Sequence, residues 1–570
     1  MHCVSRFLMI FVALILAPQA AFSVFVGPPS NSAGVVEKQI EREYDGKKVE
    51  PQRDVPLLEV DLPQDQLDIG NNERAWIDTI QLVGNTTLSM KEIQAIIAPY
   101  EHRELMMREI RELCMKLQQA YVSAGYFLAR VFPPVQEIAE GMLTLEVLEG
   151  RLGTISIQGE KYYKESFIRK HLAKFQGKAV NYDDLLRALF LLNENSDLHV
   201  GAVFKKGSEV GTADLIVQVE DKRPCHLYID ENNYGAQNTT VWRTGGKFDY
   251  GNLFTDGDTL SVTEVIGNPA NALIYTNASY EIPLNTWGTS MKMGYVYSSF
   301  HVNQMKFLNL RGRTQIASVE VMQALNRNRN LSTDVYLSFE YEQIVNYQLN
   351  RKSSYDKLRV LTAGFDFDYT DACKGRNTGD LYYTLGIPNF LGGLKPVDPL
   401  ASRVGSGGAF SILNFDYTRM QTLPLSCFVM LHFSGQATPY KLPISEQFYI
   451  GGVDTVRGFP MASALGDDGY YANLEFRAPI PGLTDQKFPG SSRAWKEWIQ
   501  LVGFVDQGGV LLNGGGENQQ HHISMTGAGV GIRLFGPYRF NVSFDVAFPL
   551  TGTNQTHSPV YYLKAAVQPF

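Results

Sequence analysis

The sequence predicts a membrane β-barrel of about 16 antiparallel strands, preceded by two small α+β domains. Three observations carry that expectation. From about Arg223 to Phe570 apolar and polar residues alternate with a period of two. Upstream, a unit of roughly 75 residues occurs twice. After the N-terminus no apolar stretch reaches the roughly 18 residues of a membrane-spanning helix.

Composition agrees. Of 570 residues, 44% are hydrophobic, 19% charged and 12% aromatic, with 51 glycines and 29 tyrosines. Such a mixture suits a large β protein with many turns and an aromatic girdle. The net charge of −8 includes no basic tract, which argues against nucleic acid as a partner.

Residues 1–23 read as an export signal: Arg6 supplies positive charge, Phe7 to Ala17 form an apolar core, and Ala21-Phe22-Ser23 is a cleavage site. That core is far short of the roughly 20 residues a spanning helix needs. In the segment 24–72, Val36, Ile40 and Tyr44 recur at i, i+4, i+8, predicting a short amphipathic helix over 34–44 that ends near Asp45-Gly46. Pro51, Pro56 and Pro63 then keep the chain extended as a semi-rigid linker.

The repeat follows, with its copies assigned to 73–150 and 151–222. Thr79-Ile80-Gln81-Leu82-Val83-Gly84 returns as Thr154-Ile155-Ser156-Ile157-Gln158-Gly159. Each copy begins with a short strand closed by glycine. A helical stripe comes next (Leu113, Leu117, Tyr121; Leu185, Leu189, Leu192), then a β-rich run ahead of an acidic residue. Strand–helix–helix–strand–strand describes a small α+β domain. Neither copy holds a nucleophile constellation or histidines at ligand spacing.

Residues 223–570 carry the barrel pattern. Val335, Leu337, Phe339 and Tyr341 alternate with Tyr336, Ser338 and Glu340. Leu361, Ala363, Phe365, Phe367 and Tyr369 form a second apolar phase, and Phe540, Val542, Phe544, Val546 and Phe548 a third. A soluble sandwich would turn the apolar phase inward; a membrane barrel turns it to lipid. Recurring carboxylates on the polar phase, aromatics at strand ends and the export signal favour the membrane.

Within this half, Val456-Arg457-Gly458-Phe459 lies in a long connection between Gly451-Gly452 and Gly466-Asp467-Asp468-Gly469. About fifty residues on comes Phe504-Val505-Asp506-Gln507-Gly508. Arginine has a planar fork suited to a carboxylate, and glycines let such a loop fold back. A cation beside a glycine, with a carboxylate on a neighbouring strand, suggests an Arg457–Asp506 ion pair, which in a membrane barrel would pin an inserted loop in the lumen.

These residues resemble the paired signatures of two-partner secretion transporters, the TpsB-type proteins related to haemolysin activators and the filamentous haemagglutinin transporter. Arg457 in its Val-Arg-Gly-Phe context and Asp506 between Phe504 and Gly508 carry the resemblance. So does the first repeat, which is similar to a polypeptide-transport-associated (POTRA) domain. Gly84-Asn85-Thr86 follows its first strand, and Tyr121, Gly125 and Tyr126 close its second helix. Gln136, Gly141 and Leu143 then lead into Val147-Leu148-Glu149-Gly150.

The resemblance implies a 16-stranded outer-membrane barrel with two periplasmic POTRA domains. It implies a lumen partly filled by the N-terminal helix and the loop of Arg457. It also implies a secreted exoprotein, unfolded in transit, as partner, with outer-membrane lipid around the barrel and the barrel-assembly machinery for insertion. The terminal Phe570 is one that such barrels commonly carry, although Gln568 and Lys564 share its face and thin the apolar stripe.

An outer-membrane insertase of the same superfamily is the alternative reading; two POTRA copies count against it. A nutrient porin has no use for POTRA domains. An enzyme is not expected, since the chain has no G-x-S-x-G, H-E-x-x-H or G-x-x-x-x-G-K-[ST] motif, and His521-His522 sit in a Gly/Asn/Gln-rich stretch. Cys3 leaves with the signal, and Cys114, Cys225, Cys373 and Cys427 are scattered without C-x-x-C spacing. No metal or cofactor is expected.

Overall fold

The computed structural model describes residues 32–44, 56–61, 74–138, 140–302, 309–489, 492–514, 522–537, 539–552 and 558–569. The export signal, His521 and Phe570 lie outside the described residues. Contacts divide the chain into two units.

The smaller unit contains the repeat. In the first copy, helices α2 (Met90–Ile97) and α3 (Met107–Ser123) cover a three-stranded sheet in which Thr79–Val83 runs parallel to Met142–Leu148, itself antiparallel to Arg130–Phe132. In the second, α4 (Glu165–Leu172) and α5 (Tyr182–Leu192) cover Arg151–Gln158, Thr212–Asp221 and Leu198–Lys206. Leu113, Leu117 and Tyr121 are buried in one core, Leu185, Leu189 and Leu192 in the other. Linker residues Leu58–Asp61, expected only to be extended, form a strand parallel to Leu198–Lys206. Their backbone donors and acceptors find partners on an otherwise open sheet edge.

The larger unit is a closed barrel of 16 strands. The strands are β1 (Cys225–Asn232), β2 (Arg243–Gly251), β3 (Thr259–Gly267), β4 (Leu273–Pro283), β5 (Thr289–His301) and β6 (Arg311–Arg327). After these come β7 (Leu331–Gln348), β8 (Arg351–Thr370), β9 (Gly375–Gly386), β10 (Phe410–Thr422) and β11 (Phe428–Ala437). The last five are β12 (Asp468–Pro479), β13 (Ile499–Leu511), β14 (His522–Phe535), β15 (Asn541–Thr551) and β16 (Val560–Val567). Closure is antiparallel, Ile229–Asn232 pairing with Lys564–Val567.

Register decides which phase meets lipid. Leu337, Phe365, Leu381, Leu413, Val530 and Phe544 are exposed, while Thr263, Ser298, Ser338, Thr384, Asp506 and Asp545 are buried. The apolar phase therefore faces outward and the polar phase inward, the arrangement a bilayer requires. Lys564 follows this rule: it belongs to the inward phase of β16 and is needed there. The four cysteines of the described residues are unbridged.

Helix α1 (Ala33–Tyr44) lies inside the barrel. Its stripe of Ala33, Val36, Ile40 and Tyr44 packs on the inward-facing Val265, Tyr275, Phe300 and Ile344. Beside it the connection between β11 and β12 folds back into the lumen. A short hairpin, Phe448–Ile450 paired with Ala464–Gly466, forms the stem of this loop.

Candidate functional site

The tip of the inserted loop brings Val456, Arg457, Gly458 and Phe459 onto the inner wall of β12–β16. All four are buried. Val456 and Phe459 pack with the stem residues Phe448 and Ile450 and with Tyr471, Val510 and Met525 of the wall. Gly458 has φ +97°, a left-handed conformation natural to glycine, and an added Cβ would lie 2.9 Å from the Phe548 carbonyl carbon. Its N–H donates to the Tyr562 hydroxyl, which donates in turn to the Phe459 carbonyl at 3.0 Å.

Arg457 meets Asp506 as a fork: Nε donates to Oδ2 at 2.7 Å and Nη2 to Oδ1 at 2.9 Å, while its backbone N–H reaches Oδ2 at 3.1 Å. Its guanidinium carbon stands 3.5 Å from the centre of the Phe504 ring. Two further carboxylates close the nest, Glu475 at 2.9 Å and Asp545 at 3.6 Å. Burial works against the charge on Arg457, but these neighbours outweigh it and raise its pKa above the ordinary arginine value. Arg477 pairs with Glu475, and Arg533 with Asp545, so three cations face three anions.

Strand register explains the convergence. Asn473 pairs with Asp506 and Asp506 with Gly527; Glu475 pairs with Phe504 and Phe504 with Gly529. Side chains two residues apart share a face, so Gly527, Gly529 and Gly531 leave that face of β14 bare. Gly527 lies directly under the Arg457 carbonyl, Gly529 under the Phe504 ring and Gly531 beside the Asp545 carboxylate. Gly508 leaves the room that Val456 fills, an added Cβ there lying 3.0 Å from its Cγ2. Sequence reasoning found Arg457, Phe504 and Asp506 but missed Glu475, Arg477, Arg533, Asp545 and Tyr562. Each is an inward polar residue of β12, β14, β15 or β16. Glu475, two residues from the Asn473 that pairs with Asp506, lies nearest to it in register, and the others join the cluster only through the folded wall.

Helix α1 forms a second polar cluster. Glu43 accepts from Lys564 at 2.8 Å and from the Asn232 amide at 2.9 Å, and the Tyr44 hydroxyl donates to Asp230 at 3.0 Å. Arg42 stacks 4.4 Å over the Tyr449 ring of the inserted loop, and Lys38 reaches Glu446 at 3.1 Å. Glu37 is buried among Glu41, Glu340 and Glu446; burial first and these carboxylates next raise its pKa well above the ordinary 4.5, against the pull of Lys38.

The POTRA-type residues stand apart, in the smaller unit. Gly84, at φ +92°, would place a Cβ on the Val147 carbonyl. Asn85 bridges both backbone groups of Leu88 and accepts from the Tyr121 hydroxyl at 2.6 Å. Glu149, just ahead of Gly150, accepts from the backbone N–H groups of Thr86 and Thr87 at 2.6 and 2.9 Å. Gly125 and Tyr126 end α3, where the Gly125 carbonyl accepts from Tyr182 N–H at 2.9 Å at the start of α5. In the second copy Asp221 takes the place of Glu149, accepting from Lys161, Tyr162 and Tyr163 N–H.

A closed 16-stranded barrel with an arginine-locked lumen loop and two α+β modules defines an outer-membrane polypeptide transporter. Residues 211–534 match the family described as haemolysin secretion/activation protein ShlB/FhaC/HecB, and residues 76–150 match the ShlB-type POTRA domain. The chain belongs to that family: it is an outer-membrane two-partner secretion transporter with POTRA domains in the periplasm.

Similar curated proteins include the heme/hemopexin transporter protein HuxB of Haemophilus influenzae, 22% identical over 82% of each chain. The outer membrane transporter CdiB of Dickeya dadantii is 24% identical, also over 82% of each. CdiB from Escherichia coli shares the fold at a TM-score of 0.76 and 18% identity, over 96% of this chain and 99% of that one.

Proposed function

We propose that the chain captures one unfolded exoprotein in the periplasm through its POTRA domains and passes it through the barrel lumen. In the resting state α1 and the inserted loop occupy that lumen. The observation that carries this reading is the Arg457–Asp506 fork, which holds a lumen-filling loop by one compact buried contact. A loop whose tip is held by one charged cluster is fixed at rest and frees its tip as a unit once that cluster is released, while Lys38 on Glu446 and Arg42 over Tyr449 tie its stem to α1. Val456 and Phe459 seat the tip, Gly458 supplies its turn, and Phe504, Asp506 and Gly508 form the receiving wall.

Capture would proceed by strand addition, in which main-chain hydrogen bonds bind without demanding a particular sequence. Thr79–Val83 and Arg151–Gln158 are terminal strands of their sheets and offer such edges. Gly84, Asn85, Tyr121, Gly125, Tyr126 and Gly150 act as the frame that keeps the first domain in shape. The relatives carry names such as heme/hemopexin transporter and hemolysin transporter, so the client class is a secreted protein. The chain works without catalysis, and the barrel-assembly machinery inserts it.

The test is deletion of this protein followed by assay of the culture medium. Selective loss of one large exoprotein, restored by the wild type and not by Arg457→Ala, supports the proposal. Persistence of every secreted protein together with failure of other barrels to insert would favour an insertase.

A further inference from the structure

We propose that the outward face of β6–β8, at the outer rim, binds the phosphates of lipid A in the outer leaflet. The proposal goes beyond the transport reading and does not depend on it; it needs only the outer-membrane setting. β1 directly follows the periplasmic domains, so odd-numbered strands run outward, and the β5–β6 and β7–β8 connections lie at the outer rim. The outer leaflet there is lipopolysaccharide, whose lipid A carries two phosphates on a sugar backbone.

Lipid-facing positions alternate down each strand. On β6 the exposed Val319 and Val321 fix the outward phase, which continues rimward to Arg313 and Arg311. On β8 the exposed Phe365 fixes it, and the phase runs through Leu361 to Arg359, Lys357 and Tyr355. Past the bulge at Asn346/Tyr347, Lys352 pairs with Tyr347 of β7. At roughly 3.3 Å per residue along a strand tilted about 45°, Lys357 sits about 9 Å rimward of Leu361 along the membrane normal, beyond the apolar phase and on the headgroup side of it.

The cations are laid over tyrosine rings. Arg311 stands 4.8 Å from the Tyr347 ring centre; Lys352 and Lys357 stand 4.4 and 4.6 Å from that of Tyr355. Arg313 is exposed. Among the described residues none of these four forms an ion pair. No Asp or Glu occurs from Tyr297 to Ala317, and from Gln343 to Ala363 only Asp356, which faces inward and accepts from Ser402 N–H at 2.8 Å.

Arg359 is not available: buried against Tyr341, it donates to the Leu391 and Glu342 carbonyls and fixes the rim. Beside it the outward phase of β9 offers only Leu381, Tyr383 and Leu385. A cluster of unneutralised cations at headgroup depth, on an aromatic platform above an apolar wall, complements a phosphorylated glycolipid.

The test uses the full chain in mild detergent, with native mass spectrometry after addition of bisphosphorylated lipid A, dephosphorylated lipid A or phosphatidylglycerol. The wild type should prefer bisphosphorylated lipid A over both others. Arg313→Gln/Lys352→Gln/Lys357→Gln should weaken that binding by roughly fivefold for each charge removed. Lys352→Arg/Lys357→Arg should retain it. Heat-modifiable gel mobility reports folding of each variant, and if the triple variant does not fold, the wild-type comparison of the two lipid A forms decides alone. Equal binding of those forms, unchanged binding by a folded triple variant, or phosphatidylglycerol binding as tightly would overturn the proposal.

Discussion

Arg457 and Asp506, separated by 49 residues in sequence, share three hydrogen bonds, two through the guanidinium fork and one from the Arg457 backbone N–H. The backbone bond survives truncation of the arginine side chain, whereas truncating the aspartate removes all three. Removing one partner of a buried pair strands the other charge, typically at a cost of about 3–5 kcal/mol.

Arg457→Ala and Asp506→Ala should therefore each lower the thermal stability of the seated loop by roughly that amount. The double variant should fall well short of their sum, because the second substitution removes the charge that the first left stranded. A double-mutant cycle on the heat-modifiable gel shift measures this coupling. Simple additivity would mean that the two residues do not act as a pair.

The bare wall of β14 permits a sharper test. An alanine Cβ at Gly527 would fall on the Arg457 carbonyl, a backbone atom that cannot swing aside. Gly527→Ala should displace the loop while leaving the barrel closed, since the outward phase and the ladder are untouched. Secretion of the client should drop to the level of Arg457→Ala, with unchanged barrel mobility on gels. Normal secretion would show that the loop tip tolerates a shift at this point.

Much of this architecture was legible because period-two alternation and the spacing of two short motifs survive in one dimension. Val335 to Tyr341 and Phe540 to Phe548 declare their lipid-facing phase without reference to any partner strand. Arg457 and Asp506 stood out through their local glycines and aromatics. Glu475, Asp545 and Arg533 did not, because each looks like an ordinary inward polar residue until the inserted loop sets Arg457 beside the two carboxylates and Arg533 pairs with Asp545.

Lys564 is the clearest case. In the sequence it spoils the apolar stripe of the last strand; in the barrel it meets Asp230 across the closing junction and Glu43 of the lumen helix α1. Gly527-Ala528-Gly529-Val530-Gly531 could have been read as one bare face of a strand, but what fills a bare face is a long-range property.

In the first POTRA domain, Glu149 joins the end of one strand to the turn after another, accepting from Thr86 and Thr87 backbone N–H groups. Glu149→Gln keeps the shape and the oxygen that both backbone N–H groups share, but removes its charge and replaces with NH2 the second oxygen, which accepts from the Thr86 hydroxyl. A loss of about 1.5–3 kcal/mol is expected for bonds of this charged kind, against about 1 kcal/mol for Tyr121→Phe, which deletes only the donor to Asn85. Limited proteolysis of the full chain should show faster cutting within 74–150 for Glu149→Gln than for Tyr121→Phe. The reverse order would place the weight of this clasp on the tyrosine.

The seating of α1 should depend on pH, and its sign follows from Glu37. Inside the lumen burial and the nearby carboxylates raise its pKa above the ordinary 4.5 it regains when the helix leaves. The seated helix therefore binds a proton more tightly than the released one, and every tenfold gain in proton affinity is worth about 1.4 kcal/mol. That contribution is complete below the ordinary value and is lost as pH rises through the raised one. Lys38 is raised as well, despite burial, by Glu446 and Glu342; its contribution holds up to the ordinary lysine value of 10.5 and so is constant from acid to neutral pH. Channel openings in planar bilayers should accordingly become more frequent as pH rises from acid toward neutral. Glu37→Gln should remove much of that rise and hold the channel closed at neutral pH. Openings that grow more frequent on acidification would reverse the sign and assign the dominant charge in the lumen to another group.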